Sequence, residues 1–154
     1  MADRKGEQHW LIVERIDNWE IDKANRFSIF GLPWRYKNIS SKIVRGDQVY
    51  CYVSSGIGAF SDIRVVQESG IKNLKEDSFH DIYNRRFAYY FTTAPALVLP
   101  RENWVPLSRL VSSLEFTRER TPMSLRAVFQ RSIRRLSTVD AALIANAMKL
   151  TAGQ

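Results

Sequence analysis

A chain of 154 residues, 45 % hydrophobic and 25 % charged, has the composition of a folded protein and not of a disordered tail. Its net charge of +7 makes a polyanion a reasonable partner, and its single cysteine, Cys51, excludes an internal disulfide. Residues 1–8 are charged and polar with no apolar signal core, and no stretch approaches the ~18 apolar residues that span a bilayer. The expectation is a cytoplasmic monomer with no membrane association, made of a polar tail (residues 1–8) and one domain (residues 9–150).

In chain order, His9–Glu14 (HWLIVE) is a short, apolar, β-rich run. Trp19–Asn25 reads as a short helix, with Asp17 or Asn18 as its cap. Arg26–Phe30 is a second β-prone run, stopped by Gly31 and Pro33. Ile39–Arg45 leads into a Gly46-Asp47 turn. Gln48–Ser54 and Ala59–Glu68 then form a hairpin whose tip carries Gly56 and Gly58. Phe87–Thr93 is a further strand, and Ala96–Leu99 another.

From Trp104 onward the spacing turns helical, with Pro106 in a first turn and Leu107, Leu110, Val111 and Leu114 on one face. Ser124–Leu136 fits one amphipathic helix, and fits equally a helical turn followed by a strand. The last helix starts at Ser137 or Thr138, with Asp140 in its first turn. From Arg118 to the end there are seven basic residues against Glu119 and Asp140, so five of the seven net charges lie in this segment. Arg126, Arg131, Arg134 and Arg135 are the candidate phosphate contacts.

Catalytic and metal chemistry find little support. Two histidines and one cysteine make no cluster at metal-ligand spacing, so no metal or cofactor is expected. Cys51 lies mid-strand, where a buried structural thiol is the expectation. Aromatic residues are the richer signal. Trp19, Phe30 and Trp34 stand at loop junctions beside turn residues, and an aromatic ring stacked on a nucleobase contributes ~1–3 kcal/mol.

Three stretches together resemble the EVE domain, a branch of the PUA-like superfamily that also holds the YTH readers of methylated adenine. They are Trp10–Glu20 (WLIVERIDNWE), Phe30–Tyr36 (FGLPWRY) and Gly46–Phe60 (GDQVYCYVSSGIGAF). Arg86–Thr93 and Leu136–Asp140 follow in the expected order. The resemblance implies an α+β fold, a mixed PUA-like β-pseudobarrel flanked by short helices with a helical C-terminus. It implies a non-catalytic module that takes a modified base of DNA or RNA into an aromatic pocket. Carried onto this sequence, Asn18 would read the base edge and Trp19 would pack on its loop. Phe30 stands where YTH readers place a cage tryptophan, Gly31 lets the backbone approach, and Trp34 would be a second wall. Tyr52, Ser54, Gly56 and Phe60 would line the floor and hairpin lip, with Tyr83 on a further loop. Two alternatives stand beside this reading. One is a hydrolase like those of the related ASCH branch, with Glu14, Lys23 or Asp47 as the base. The other is a protein-interaction module that uses the basic surface.

Overall fold

The computed structural model describes residues 8–54, 56–73 and 87–153. The apolar run at the start forms β1 (His9–Glu14), the expected strand with the expected ends. Helix α1 (Ile16–Ala24) begins three residues earlier than the sequence suggests, and its N-cap is Arg15 with no side-chain cap. Asp17 therefore lies inside the first turn, where its carboxylate accepts the Asn18 amide proton. The buried face of α1 is Asn18, Trp19 and Asp22, which share one side at helical spacing.

Arg26 and Phe27 do not extend a strand. Both take left-handed conformations, with φ of 58° and 56°, and reverse the chain so that β2 (Ile29–Leu32) runs through Gly31. A 3-10 turn (Trp34–Tyr36) and the one-turn α2 (Lys37–Ser40) occupy part of the segment before the Gly46 turn. The hairpin is β3 (Gln48–Val53) and β4 (Ala59–Val66), with a register slip that leaves Ser61 as an extra, bulged residue.

After β5 (Lys72–Asn73), the two runs expected as separate strands are one long strand, β6 (Tyr89–Val98). Its first half pairs with β2 and its second half with β4. A register slip between Pro95 and Leu97 absorbs Ala96, so Pro95 is tolerated beside a bulge. The two-residue β7 (Val105–Pro106) pairs with the start of β4.

The helical spacing from Trp104 is not realised as an α-helix. Pro106 is extended, and the chain continues as a 3-10 turn (Leu107–Arg109) and successive turns. Backbone bonds hold single turns there, such as Val111 to Leu107 and Leu114 to Leu110, but the Glu115 and Phe116 amides donate to the Asp140 carboxylate instead of continuing a helix. The open choice at residues 124–136 falls to the second form: α3 (Pro122–Val128), capped by Thr121, then β8 (Ile133–Leu136). The last helix, α4 (Thr138–Ala152), is capped by the Ser137 hydroxyl, which accepts from the Asp140 amide.

The strands form a mixed, curled half-barrel sheet in the order β2-β6-β4-β3-β1-β8. β1 runs parallel to β3 and antiparallel to β8. Parallel pairing needs a crossover, and α1 with β2 supplies it. That crossover brings the C-terminal end of β1, α1 and β2 together, and β8 delivers residues 129–132 beside them. No described helix is long and apolar enough to cross a membrane.

Candidate functional site

A cleft of about 480 Å³ opens where these elements meet, within the roughly 300–1,000 Å³ usual for small-ligand sites. β1 supplies Val13 and Glu14, and the turn into α1 supplies Arg15 and Asn18. β2 and its exit supply Phe30, Gly31, Pro33 and Arg35. Ser54 comes from the hairpin, Phe87 from the approach to β6, and Phe129, Gln130 and Ser132 from the turn before β8. Tyr36 ties two banks together, because its hydroxyl oxygen accepts the Ser132 amide proton at 3.0 Å. Burial opposes ionisation of that phenol, yet the Ser132 amide and the Arg35 guanidinium hold its pKa below the ordinary value.

Asn18 is the notable group. The residue is 8 % exposed, and its Oδ1 is a buried acceptor with no hydrogen-bond partner among the described residues. Leaving such an atom unsatisfied costs ~1–3 kcal/mol, which a ligand donor entering the cleft would recover.

The helix that carries Asn18 is held by a buried polar set. Trp19 Nε1 donates to Asp62 Oδ2 at 2.9 Å. Arg64, fully buried, donates to Asp62 at 2.7 Å, to Asp22 at 2.8 Å and to Glu14 at 3.3 Å. The Cys51 thiol donates to the same Glu14 carboxyl. Burial, and then Asp22 beside it, push the Glu14 carboxyl well above the ordinary carboxylate range, against the pull of Arg64. Burial and the nearby Asp62 and Glu14 also push the Cys51 thiol well up, so it stays a thiol and not a nucleophile.

Of the residues proposed for a base pocket, the structure brings together Asn18, Phe30, Gly31 and Ser54. Phe30 is nearly buried, with Phe91 at 5.4 Å and the Arg64 guanidinium 5.9 Å from its ring centre. Trp19 lies outside this cleft. It is a core residue edge-on to Trp104 at 4.8 Å, because its N–H finds a buried acceptor in Asp62. Trp34 also lies outside. The 3-10 turn after Pro33 carries it outward, 74 % exposed.

Phe60 is fully buried against Tyr52 and lines neither this cleft nor its neighbour. Tyr52 and Gly56 line that neighbour, a second cleft of about 570 Å³ that shares Ser54, Phe129 and Gln130 with the first. Tyr83 falls outside the described residues. The four arginines do not form one patch. Arg126 rims the second cleft, Arg131 is exposed in the turn before β8, Arg134 lies over Phe116, and Arg135 lines a separate cleft with Trp10 and Lys42.

Of the candidate bases, Asp47 is occupied by Trp10 Nε1 and by the amides of Gln8 and Val44. Lys23 stands over Trp19 beside a different cleft. Glu14 is the one carboxyl among the described lining residues.

Sequence reading passed over Arg15, Arg35, Phe87 and Phe129. Arg15 and Arg35 fall inside the quoted stretches WLIVERIDNWE and FGLPWRY, so their position was available. Phe129 enters only because β8 returns to β1 across more than a hundred residues, which no local pattern signals.

No family model matches the sequence, and no curated protein matches it. Solved structures do. The NMR structure of Rpa0253 from Rhodopseudomonas palustris aligns with TM-score 0.64 at 13 % identity, over 93 % of this chain and 94 % of that one. The YTH domain of Zygosaccharomyces rouxii MRB1, solved with N6-methyladenosine RNA, aligns with TM-score 0.62 at 15 % identity, over 96 % and 92 %. Human THYN1, solved with DNA containing 5-methylcytosine, aligns with TM-score 0.60 at 12 % identity, over 94 % and 98 %. At such identities the likeness speaks for architecture alone, and the chain has the α+β half-barrel fold of the YTH domains and THYN1.

Proposed function

We propose that this chain is a non-catalytic nucleic-acid-binding module that takes one base, in modified form, into the cleft beside Asn18. The observation that carries the reading is the buried, unpartnered Asn18 Oδ1 at a cleft that also holds Phe30 and Gly31. Two of the fold's relatives were solved with a methylated base in RNA or DNA, which supports it. The EVE resemblance of the three sequence stretches points the same way.

Phe87 and Phe129, both half-buried, line the cleft as aromatic wall residues, whereas Trp34 turns outward. Contact of a base with such a wall offsets part of the few kcal/mol needed to draw it from its stack. Asn18 Oδ1 then accepts a hydrogen bond from an N–H of the base edge. An added methyl meeting apolar wall contributes only ~1 kcal/mol, so preference for a modified base is about fivefold unless a polar group also finds a partner. Arg15 and Arg35 at the cleft suit a strand that carries phosphates.

A panel of modified nucleosides and short DNA and RNA strands, titrated against the full chain and Asn18→Ala, tests the proposal. We expect the variant to lose the preference while its melting temperature holds or rises, since a buried unsatisfied acceptor has gone. Equal affinity of parent and variant for every member of the panel would refute it. The hydrolase alternative has one group in its favour, the Glu14 carboxyl, whose pKa burial raises. It lacks a second catalytic group among the described lining residues, and product released from the same panel would revive it.

A further inference from the structure

Arg120 and Arg134 meet at Phe116, Arg131 lies exposed in the turn just before β8, and none of the three forms an ion pair among the described residues. Arg120 donates through Nε to the Phe116 carbonyl and through Nη1 to the Ser124 hydroxyl. Arg134, half-buried on β8, lays its guanidinium over the Phe116 ring at 4.9 Å from the centroid. Its Nε is buried and has no hydrogen-bond partner among the described residues. Burial disfavours the Arg134 charge first, and the positive charges of Arg120 and Arg131 add to that effect.

Among the described residues Asp140 is the acidic group that favours the Arg134 charge, and its two carboxylate oxygens already accept from the Glu115 and Phe116 amides. Like charges held together without a counter-charge raise the energy of the free protein, and an anion among them relieves that repulsion. Guanidinium forks match phosphate oxygens in geometry, and the anchoring of Arg120 and Arg134 lowers the ordering cost of binding.

We propose that Arg120, Arg131 and Arg134 form a phosphate seat, and that, on the nucleic-acid reading above, it holds a backbone phosphate next to the nucleotide whose base enters the cleft. The seat adjoins the cleft: Phe116 touches Phe129 at 5.9 Å, and Phe129 and Ser132 line the cleft. Arg135 stands apart. Strand alternation sends it to the opposite face of β8, beside Trp10, Ile39 and Lys42.

The test titrates the full chain with inorganic pyrophosphate, against sodium chloride at equal ionic strength, by calorimetry and thermal melting. The parent should be stabilised by pyrophosphate alone, with Arg134→Gln and Arg131→Gln each weakening it about tenfold or more and Arg135→Gln leaving it unchanged. Arg131 is exposed, so its variant reports even if Arg134→Gln folds poorly. No stabilisation beyond that of chloride, or equal loss in Arg135→Gln, overturns the seat.

A second arm distinguishes strand phosphate from free anion. With a single-stranded oligonucleotide, Arg131→Gln should flatten the log-log salt dependence by about 0.7 units and Arg135→Gln should not. A flattened slope with no base preference would keep the seat and remove the base reading. Retained base preference with an unchanged slope in Arg131→Gln would remove the seat and keep the reading.

Discussion

Replacing Arg64 by methionine probes the claim that a buried charge set fixes α1, and with it Asn18, against the sheet. The guanidinium is fully buried and spans three carboxyl groups, on β1, α1 and β4, at 3.3, 2.8 and 2.7 Å. Its removal leaves Asp22 and Asp62 buried without a counter-charge, and breaking a buried pair in this way costs ~3–5 kcal/mol. That is a large share of the ~5–15 kcal/mol by which a domain is stable. Unfolding a chain of this length releases roughly 0.3 kcal/mol/K near 60 °C, so the melting temperature should fall by about 10–15 °C. Circular dichroism melting and guanidinium titration read the change. Adding Asp22→Leu should restore part of the loss, because one stranded carboxylate is removed. A single variant melting within about 3 °C of the parent would refute the reasoning.

The remaining predictions concern Glu14 and the hairpin tip. The raised Glu14 pKa means that the native state keeps a proton which the unfolded chain releases near ~4.3. The native state then binds more protons, so this contribution is full below that value and is lost as pH rises through the raised one. Glu14→Gln stays neutral, so its stability relative to the parent should improve between about pH 5 and pH 8 in denaturant titrations; parallel curves would contradict this. Gly58 has φ of +63°, and a Cβ there would lie 3.2 Å from the Tyr52 hydroxyl. Gly58→Ala should therefore cost ~1 kcal/mol or more, whereas an unchanged denaturation midpoint would show that the hairpin tip yields freely.

Much of the half-barrel was legible because its strands carry their own signal. His9–Glu14 and the hairpin from Gln48 are dense in β-formers, with glycines where the backbone must turn. The C-terminal helix was legible through its Ser137 cap. The misreadings arose where tertiary bonds override local pattern. Apolar residues from Leu107 to Leu114 have helical spacing, yet Asp140, some 25 residues away, accepts from the Glu115 and Phe116 amides that would continue a helix.

Four of the residues expected at the pocket, Asn18, Phe30, Gly31 and Ser54, line one cleft, and all four fall in the stretches that resemble the EVE domain. Trp19, expected to pack on the Asn18 loop, and Trp34, expected as a second wall, both lie outside that cleft. Which of two aromatic residues faces inward depends on acceptors such as Asp62 that sequence does not place. The convergence of Arg120 and Arg134 on Phe116 likewise needs the return of β8.

A crystal structure of the chain with the best-bound modified nucleoside from the panel tests the central claim most directly. We predict the base in the cleft lined by Phe30, Gly31 and Ser54, with a base-edge donor within about 3.2 Å of Asn18 Oδ1. A base seated in the neighbouring cleft of Tyr52 and Leu125, with Asn18 Oδ1 still unpartnered, would contradict the account.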